Sequence, residues 1–316
     1  MTGLSSRNTS WFSTSTLWML PALKEAAAVA AEHIRDGRFQ RSMALVTAGS
    51  SFISGLEVAY EHYKGSYSNP IMYTPVLLSG ALTGAGVWGV FSERAARSVL
   101  RVTALVTLVD GVTGFGFHIR GIHRKPGGWR LPITNMIMGP PIFAPLLFGT
   151  AAYLGFMASY LRREDEHKLL PTRNYKEGWR RELHQGKFQK HLAAVSAAWA
   201  IFSGFEAWYS HYKSNFRIWA QWTPVILAPI QVAASIAAVY NKRAARTLLP
   251  ASSALAILDG TVGFGYHVRG VLRRPGGKKK WLYNILYGPP IFAPLLFAAC
   301  GALGLLASVL RRENDD

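Results

Sequence analysis

Residues Leu108–Gly121 read LVDGVTGFGFHIRG, and residues Ile257–Gly270 read ILDGTVGFGYHVRG, 149 positions further on. Each stretch is an apolar run with one acid, spaced glycines, and a histidine near its end. On a helix at about 100° per residue, Asp110, Gly111, Gly114 and His118 share an arc of roughly 100°. Asp259, Gly260, Gly263 and His267 repeat the arrangement. An acid inside so long an apolar run is costly in lipid, so its face should point into a bundle of helices.

The rest of the chain supports a membrane setting. Half of the 316 residues are hydrophobic and 16% are charged, against about 25% charged in soluble domains. Eight apolar segments approach the ~20 residues that a spanning helix needs. They cover 43–60, 72–91, 99–118, 142–161, 192–208, 223–240, 248–267 and 291–310. The net charge of +18 would suggest nucleic acid in a soluble protein. Here the basic residues lie between apolar segments, so no nucleic-acid partner is expected. The expected fold is an all-α integral membrane protein.

Residues 37–164 match 186–313 at a constant offset of 149, without insertion. GLEVAYEHYK answers GFEAWYSHYK, RKPGG answers RRPGG, and NMIMGPPIFAPLLF answers NILYGPPIFAPLLF. The second helices share little. Each unit has four helices, so both enter the membrane from the same side, as parallel tandem repeats about an axis along the membrane normal. Of the Lys and Arg residues, 22 lie on the side holding both termini and 13 on the other. The positive-inside rule then puts both termini in the cytoplasm and the protein in the cell membrane. Residues 1–36 read as an interfacial segment, with Trp11, Phe12 and Trp18 for the headgroup region. Residues 165–185 read as a charged cytoplasmic linker. The single cysteine, Cys300, excludes an intrachain disulfide.

Four histidines are the candidate ligands. His62 and His118 end the first and third helices of one unit at the same depth, as do His211 and His267 in the other. Paired imidazoles on separate helices are the arrangement for bis-histidine haem b, two per chain. The glycine strips, including Gly55 and Gly204, would either leave room for a flat cofactor or let helices approach closely. Arg120 and Arg269, two residues beyond the histidines, could meet haem propionates. Placement of the ligands resembles cytochrome-b-type anchor subunits in architecture only. Glu57 and His62 stand about 140° apart around a helix, which argues against a Glu-x-x-His di-iron site.

Glu57, Asp110, Glu206 and Asp259 are expected either to handle protons or to act as polar locks. The segment after each third helix turns at Pro-Gly-Gly and restarts at Gly-Pro-Pro, forming a lid in which Asn135 and Asn284 could hydrogen-bond. A quinone could sit beneath it. Three functions remain open on these residues: a redox membrane subunit serving an outer-face oxidoreductase, a proton- or ion-coupled transporter, and a non-catalytic scaffold. The basic outer loops could dock an acidic extracytoplasmic protein or anionic lipid headgroups. No Walker A loop, nucleotide fingerprint, Ser-His-Asp pattern or His-Glu-x-x-His motif occurs.

Overall fold

A computed structural model of the chain describes residues 38–164 and 189–309, with a few isolated positions before residue 38. The interfacial segment and the linker expected at 1–36 and 165–185 lie almost wholly outside the described residues. Every regular element described is helical.

Eight long helices coincide with the eight apolar segments. They are α1 (Phe39–Lys64), α2 (Thr74–Phe91), α3 (Val99–His123), α4 (Ala144–Ala158), α5 (Gln189–Lys213), α6 (Thr223–Tyr240), α7 (Leu248–Leu272) and α8 (Ala293–Val309). Five stretches are long and apolar enough to cross a membrane: Phe39–Lys64, Pro70–Phe91, Glu93–His123, Trp219–Tyr240 and Lys242–Leu272. Helices α4 and α8 are apolar but shorter. Helix α5 has 25 residues and is less apolar, because Glu206, Trp199 and Trp208 fall within its run.

In the first unit α1 packs against α2 and α4, and α3 packs against the same two. Helices α1 and α3 are therefore diagonal to each other, as expected for an up-down-up-down bundle with short connections. The second unit repeats the plan, with α5 and α7 diagonal across α6 and α8. Close approach depends on small residues. A Cβ on Gly111 would come 2.8 Å from the Pro145 carbonyl oxygen, and one on Gly260 would come 2.5 Å from that of Pro294. Gly55 meets Ser79 and Gly204 meets Ala228 more closely still. The glycine strips are thus filled by the neighbouring helix. Of the two uses open to them, Gly55, Gly111, Gly204 and Gly260 serve as packing seams.

The seams of the two units differ in chemistry. In the second, Gln231 Nε2 reaches the hydroxyls of Ser196 (3.0 Å), Ser253 (3.1 Å) and Ser235 (3.3 Å), all deeply buried, and Ser196 donates to the Cys300 carbonyl. The matching positions in the first unit are Leu82, Thr47, Ala104 and Gly86. The inner end of the first unit is instead fastened by buried Arg163, which donates to Gln40 Oε1 and the Gly89 carbonyl, each at 2.6 Å.

Candidate functional site

Helix α1 ends in a Schellman-type turn. The Tyr67 amide returns to the His62 carbonyl at 3.0 Å, and the Phe216 amide returns to that of His211 at 3.1 Å. The turn uses non-glycine residues at positive φ: Ser66 (57°), Tyr67 (44°), Asn215 (56°) and Phe216 (46°). Two successive left-handed L-residues are strained, and both repeats carry them. They bring Tyr67 edge-on to His62 at 6.1 Å and Phe216 edge-on to His211 at 6.2 Å, between ring centres. The second face of each aromatic ring is also occupied: Tyr67 stacks on Tyr73 and Phe216 on Trp222.

All four histidines are held in the same way. His62 Nδ1 lies 2.6 Å from the Met72 carbonyl, and His211 Nδ1 lies 2.8 Å from that of Gln221. His118 Nδ1 reaches the Pro141 carbonyl at 2.6 Å, and His267 Nδ1 reaches that of Pro290 at 2.5 Å. A carbonyl oxygen only accepts, so in each ring Nδ1 carries the proton. The bare lone pair of the neutral imidazole is then on Nε2. Each acceptor lies just upstream of a descending helix, so an ascending helix is tied to the head of its neighbour.

In the second bundle the rings come together from diagonal helices: His211 and His267 have ring centres 6.5 Å apart, with planes at 73°. His62 and His118 occupy the matching positions in the first. Two imidazoles on one metal ion, at about 2.0 Å per nitrogen, would place ring centres roughly 5–6.3 Å apart, from tetrahedral to opposed placement. The second pair, at 6.5 Å, lies at the wide end of that range. Arg120 and Arg269 are exposed beyond the histidines. Among the described residues no group of three or more His, Cys, Asp or Glu is placed to hold a metal, which leaves two-imidazole ligation as the available donor set.

The acids do not bond the histidines. Asp110 Oδ1 accepts from the Thr74 hydroxyl at 2.7 Å, and Asp259 Oδ1 accepts from Thr223. Both threonines open a descending helix, where the helix dipole favours an anion. Glu57 and Glu206 face the junction between the bundles, near enough to interact. Glu206 Oε1 accepts the Phe143 amide of the other unit at 3.0 Å.

The junction itself is reciprocal. The Tyr60 hydroxyl donates to the Leu286 carbonyl, and the Tyr209 hydroxyl to those of Ile137 (3.1 Å) and Gly139 (3.2 Å). Residues 60 and 209, and 137 and 286, are repeat equivalents, as in a self-complementary two-fold interface. Phe143 adds an aromatic cluster with Phe202 and Phe205, each at 5.0 Å. Lys213 Nζ donates to the Tyr209 hydroxyl at 2.6 Å. The two bundles are joined here. As expected, Asn135 and Asn284 are buried and bond the lid: Asn135 Nδ2 donates to the Pro126 and Gly128 carbonyls, and Asn284 Nδ2 to those of Pro275 and Gly277.

Sequence reasoning missed Thr74, Thr223, Tyr60, Tyr209 and Lys213. The repeated Thr-Pro-Val at 74–76 and 223–225, and the tyrosines retained at the same offset, were the available signals. No protein family model, no curated protein and no solved structure matches the chain.

Proposed function

We propose that the chain is a redox membrane subunit of eight spans, arranged as two parallel four-helix repeats with both termini cytoplasmic. Each repeat holds one haem b near the extracytoplasmic surface, through His62 and His118 in the first and His211 and His267 in the second. One observation carries this reading. Four imidazoles are fixed through Nδ1 to backbone carbonyls with Nε2 left bare, and in the second repeat His211 and His267 face each other across the bundle. Such an outer hydrogen bond sets the tautomer and orientation of metal-ligating histidines. When bound, the group supplies one-electron transfer. Arg120 and Arg269 would then meet its propionates, and the basic outer loops would dock an acidic partner protein or anionic lipid.

A second reading has its own support. The same Nδ1 bonds pin the loop before each descending helix, and the glycine seams are closed by packing. In that case the histidines lock the bundle. The transport reading gains nothing further, because Asp110 and Asp259 are each taken up by a threonine.

The experiment is an absorption spectrum of full-length protein expressed with sufficient haem. The redox reading expects two haems per chain with a reduced b-type spectrum. His118→Ala should then remove or open the site of the first repeat, and His267→Ala that of the second. A chain that folds and incorporates no haem leaves the histidines as locks.

A further inference from the structure

At the outer end of the junction lies a cleft of ≈ 720 Å³ lined by Tyr63, Lys64, Ser66, Tyr67, Tyr73 and Tyr287. Five of these come from the first repeat, at the end of α1 and the loop after it. Tyr287 comes from the lid of the second repeat. The cleft therefore exists only because the two repeats are joined.

Its walls are built. Tyr67 stacks on Tyr73 with ring centres 4.2 Å apart and planes at 9°. The Tyr67 hydroxyl is fixed on the Ala59 carbonyl at 3.0 Å. The strained left-handed pair Ser66–Tyr67 holds this plate in position, and residues kept in such conformations cluster at ligand sites. Its polar groups are hydroxyls and the Lys64 ammonium, which is paired with Glu61 at 3.2 Å and keeps a further N–H to donate. Tyr287 is tilted against Tyr283 at 4.7 Å, which extends the aromatic surface towards the lid.

We infer that this cleft binds the head of a lipid-soluble quinone. A quinone ring is flat and apolar on its faces, which suits a stacked tyrosine wall. Its carbonyl oxygens only accept hydrogen bonds, which suits Lys64, Ser66 and the free phenols. Its tail can leave towards the bilayer. A tetrahedral phosphodiester would meet the same donors but makes no use of the flat wall. Tyr67 is edge-on to His62 at 6.1 Å, so the bound ring would lie close to one imidazole site. The inference thus deepens the redox reading and rests on it.

The second repeat is an internal control. At the matching positions it has Tyr212, Lys213, Asn215, Phe216 and Trp222, with Met138 in place of Tyr287. Phe216 and Trp222 stack as their counterparts do, at 3.9 Å, but they carry no hydroxyl. One site per chain is therefore expected, on the side of the first repeat.

The test uses full-length protein in nanodiscs and an azido-benzoquinone with a ten-carbon tail. Cross-linking should map to peptides containing residues 63–73 and 287, at one equivalent per chain, and excess decyl-benzoquinone should compete. Tyr73→Ala and Lys64→Met should each weaken binding about tenfold, whereas Trp222→Ala should leave it unchanged. Labelling spread equally over 212–222, displacement by anionic phospholipid, or indifference to Tyr73→Ala would overturn the inference. Haem absorbance of the same samples separates the two readings. Quinone bound without haem fails the haem assignment alone, and haem without cross-linking fails the quinone site alone.

Discussion

Gly260 and Gly265 belong to one stretch of α7 and should respond oppositely to the same added methyl group. At Gly260 a Cβ would lie 2.5 Å from the Pro294 oxygen, 2.6 Å from the Ala298 nitrogen and 2.8 Å from the Ala298 Cβ. Two of these atoms are backbone, so α7 and α8 must separate to admit it. Overpacking of this kind costs about 1–3 kcal/mol, and replacing a mid-helix glycine returns roughly 0.5–1 kcal/mol. Gly260→Ala should therefore destabilise by about 1–2 kcal/mol, a fall in Tm of roughly 1.5–3 °C at this chain length. At Gly265 nothing lies within 4 Å, so Gly265→Ala keeps only the backbone gain and should raise Tm slightly. The assay is the intrinsic-fluorescence melt of purified protein at a fixed scan rate, because unfolding of such a chain is read as a rate. If Gly260→Ala melts at or above the parent, the α7–α8 seam is not where the packing places it.

The left-handed loop offers a second comparison: Ser66→Gly should raise Tm by relieving φ of 57°, and Asn215→Gly, at 56°, should gain less because asparagine tolerates that region. Gln231→Leu installs the residue of the first repeat and removes the buried, unpartnered Oε1 together with the amide bonds. It also strands the buried Ser253 hydroxyl, whose partner is Gln231, so it should destabilise by about 1–3 kcal/mol in the same melt. For topology, single cysteines at Ser68 and Thr247 should be labelled from opposite sides of sealed vesicles, with buried Cys300 silent. Labelling of both from one side would end the eight-span arrangement.

The eight helices were legible from their apolar runs, five of which are long enough for a span that must satisfy its backbone internally. Their outer ends were less so. Helices α1 and α3 continue to Lys64 and His123, past the apolar runs, where polar side chains no longer conflict with the solvent. The imidazole pairs were legible from depth and the repeat offset, but their fixation was not. His62 and His118 are held by main-chain oxygens of Met72 and Pro141, and a carbonyl has no side-chain signature. The glycines showed the opposite failure. Their spacing is the same whether the strip faces a cofactor or a helix, and only the positions of Pro145 and Pro294 decide it. An offset of 149 also pairs like with like. It therefore hides the bonds from Tyr60 to Leu286 and from Tyr209 to Ile137, which cross between unlike positions.

Those crossing bonds give the junction a consequence for both imidazole sites. Tyr209 stands two residues before His211 and bonds the Gly139 carbonyl of the other repeat. Gly139 stands two residues before Pro141, whose carbonyl orients His118. The reciprocal path runs from Tyr60, two residues before His62, through Leu286 to Pro290 and His267. Each imidazole pair is thus steadied by a tyrosine of the opposite repeat. Tyr209→Phe removes a hydroxyl shared by two carbonyls, a loss of about 1 kcal/mol, and it frees the lid that carries Pro141. The expected result is crossed: His118 should gain reactivity towards diethyl pyrocarbonate, read by mass spectrometry of its peptide, and His267 should not. Tyr60→Phe should expose His267 and spare His118. Tyr212→Phe, at an exposed ring outside the path, should change neither. If Tyr209→Phe alters His211 and His267 and leaves His118 unmoved, the coupling runs within a repeat and the lids are passive covers.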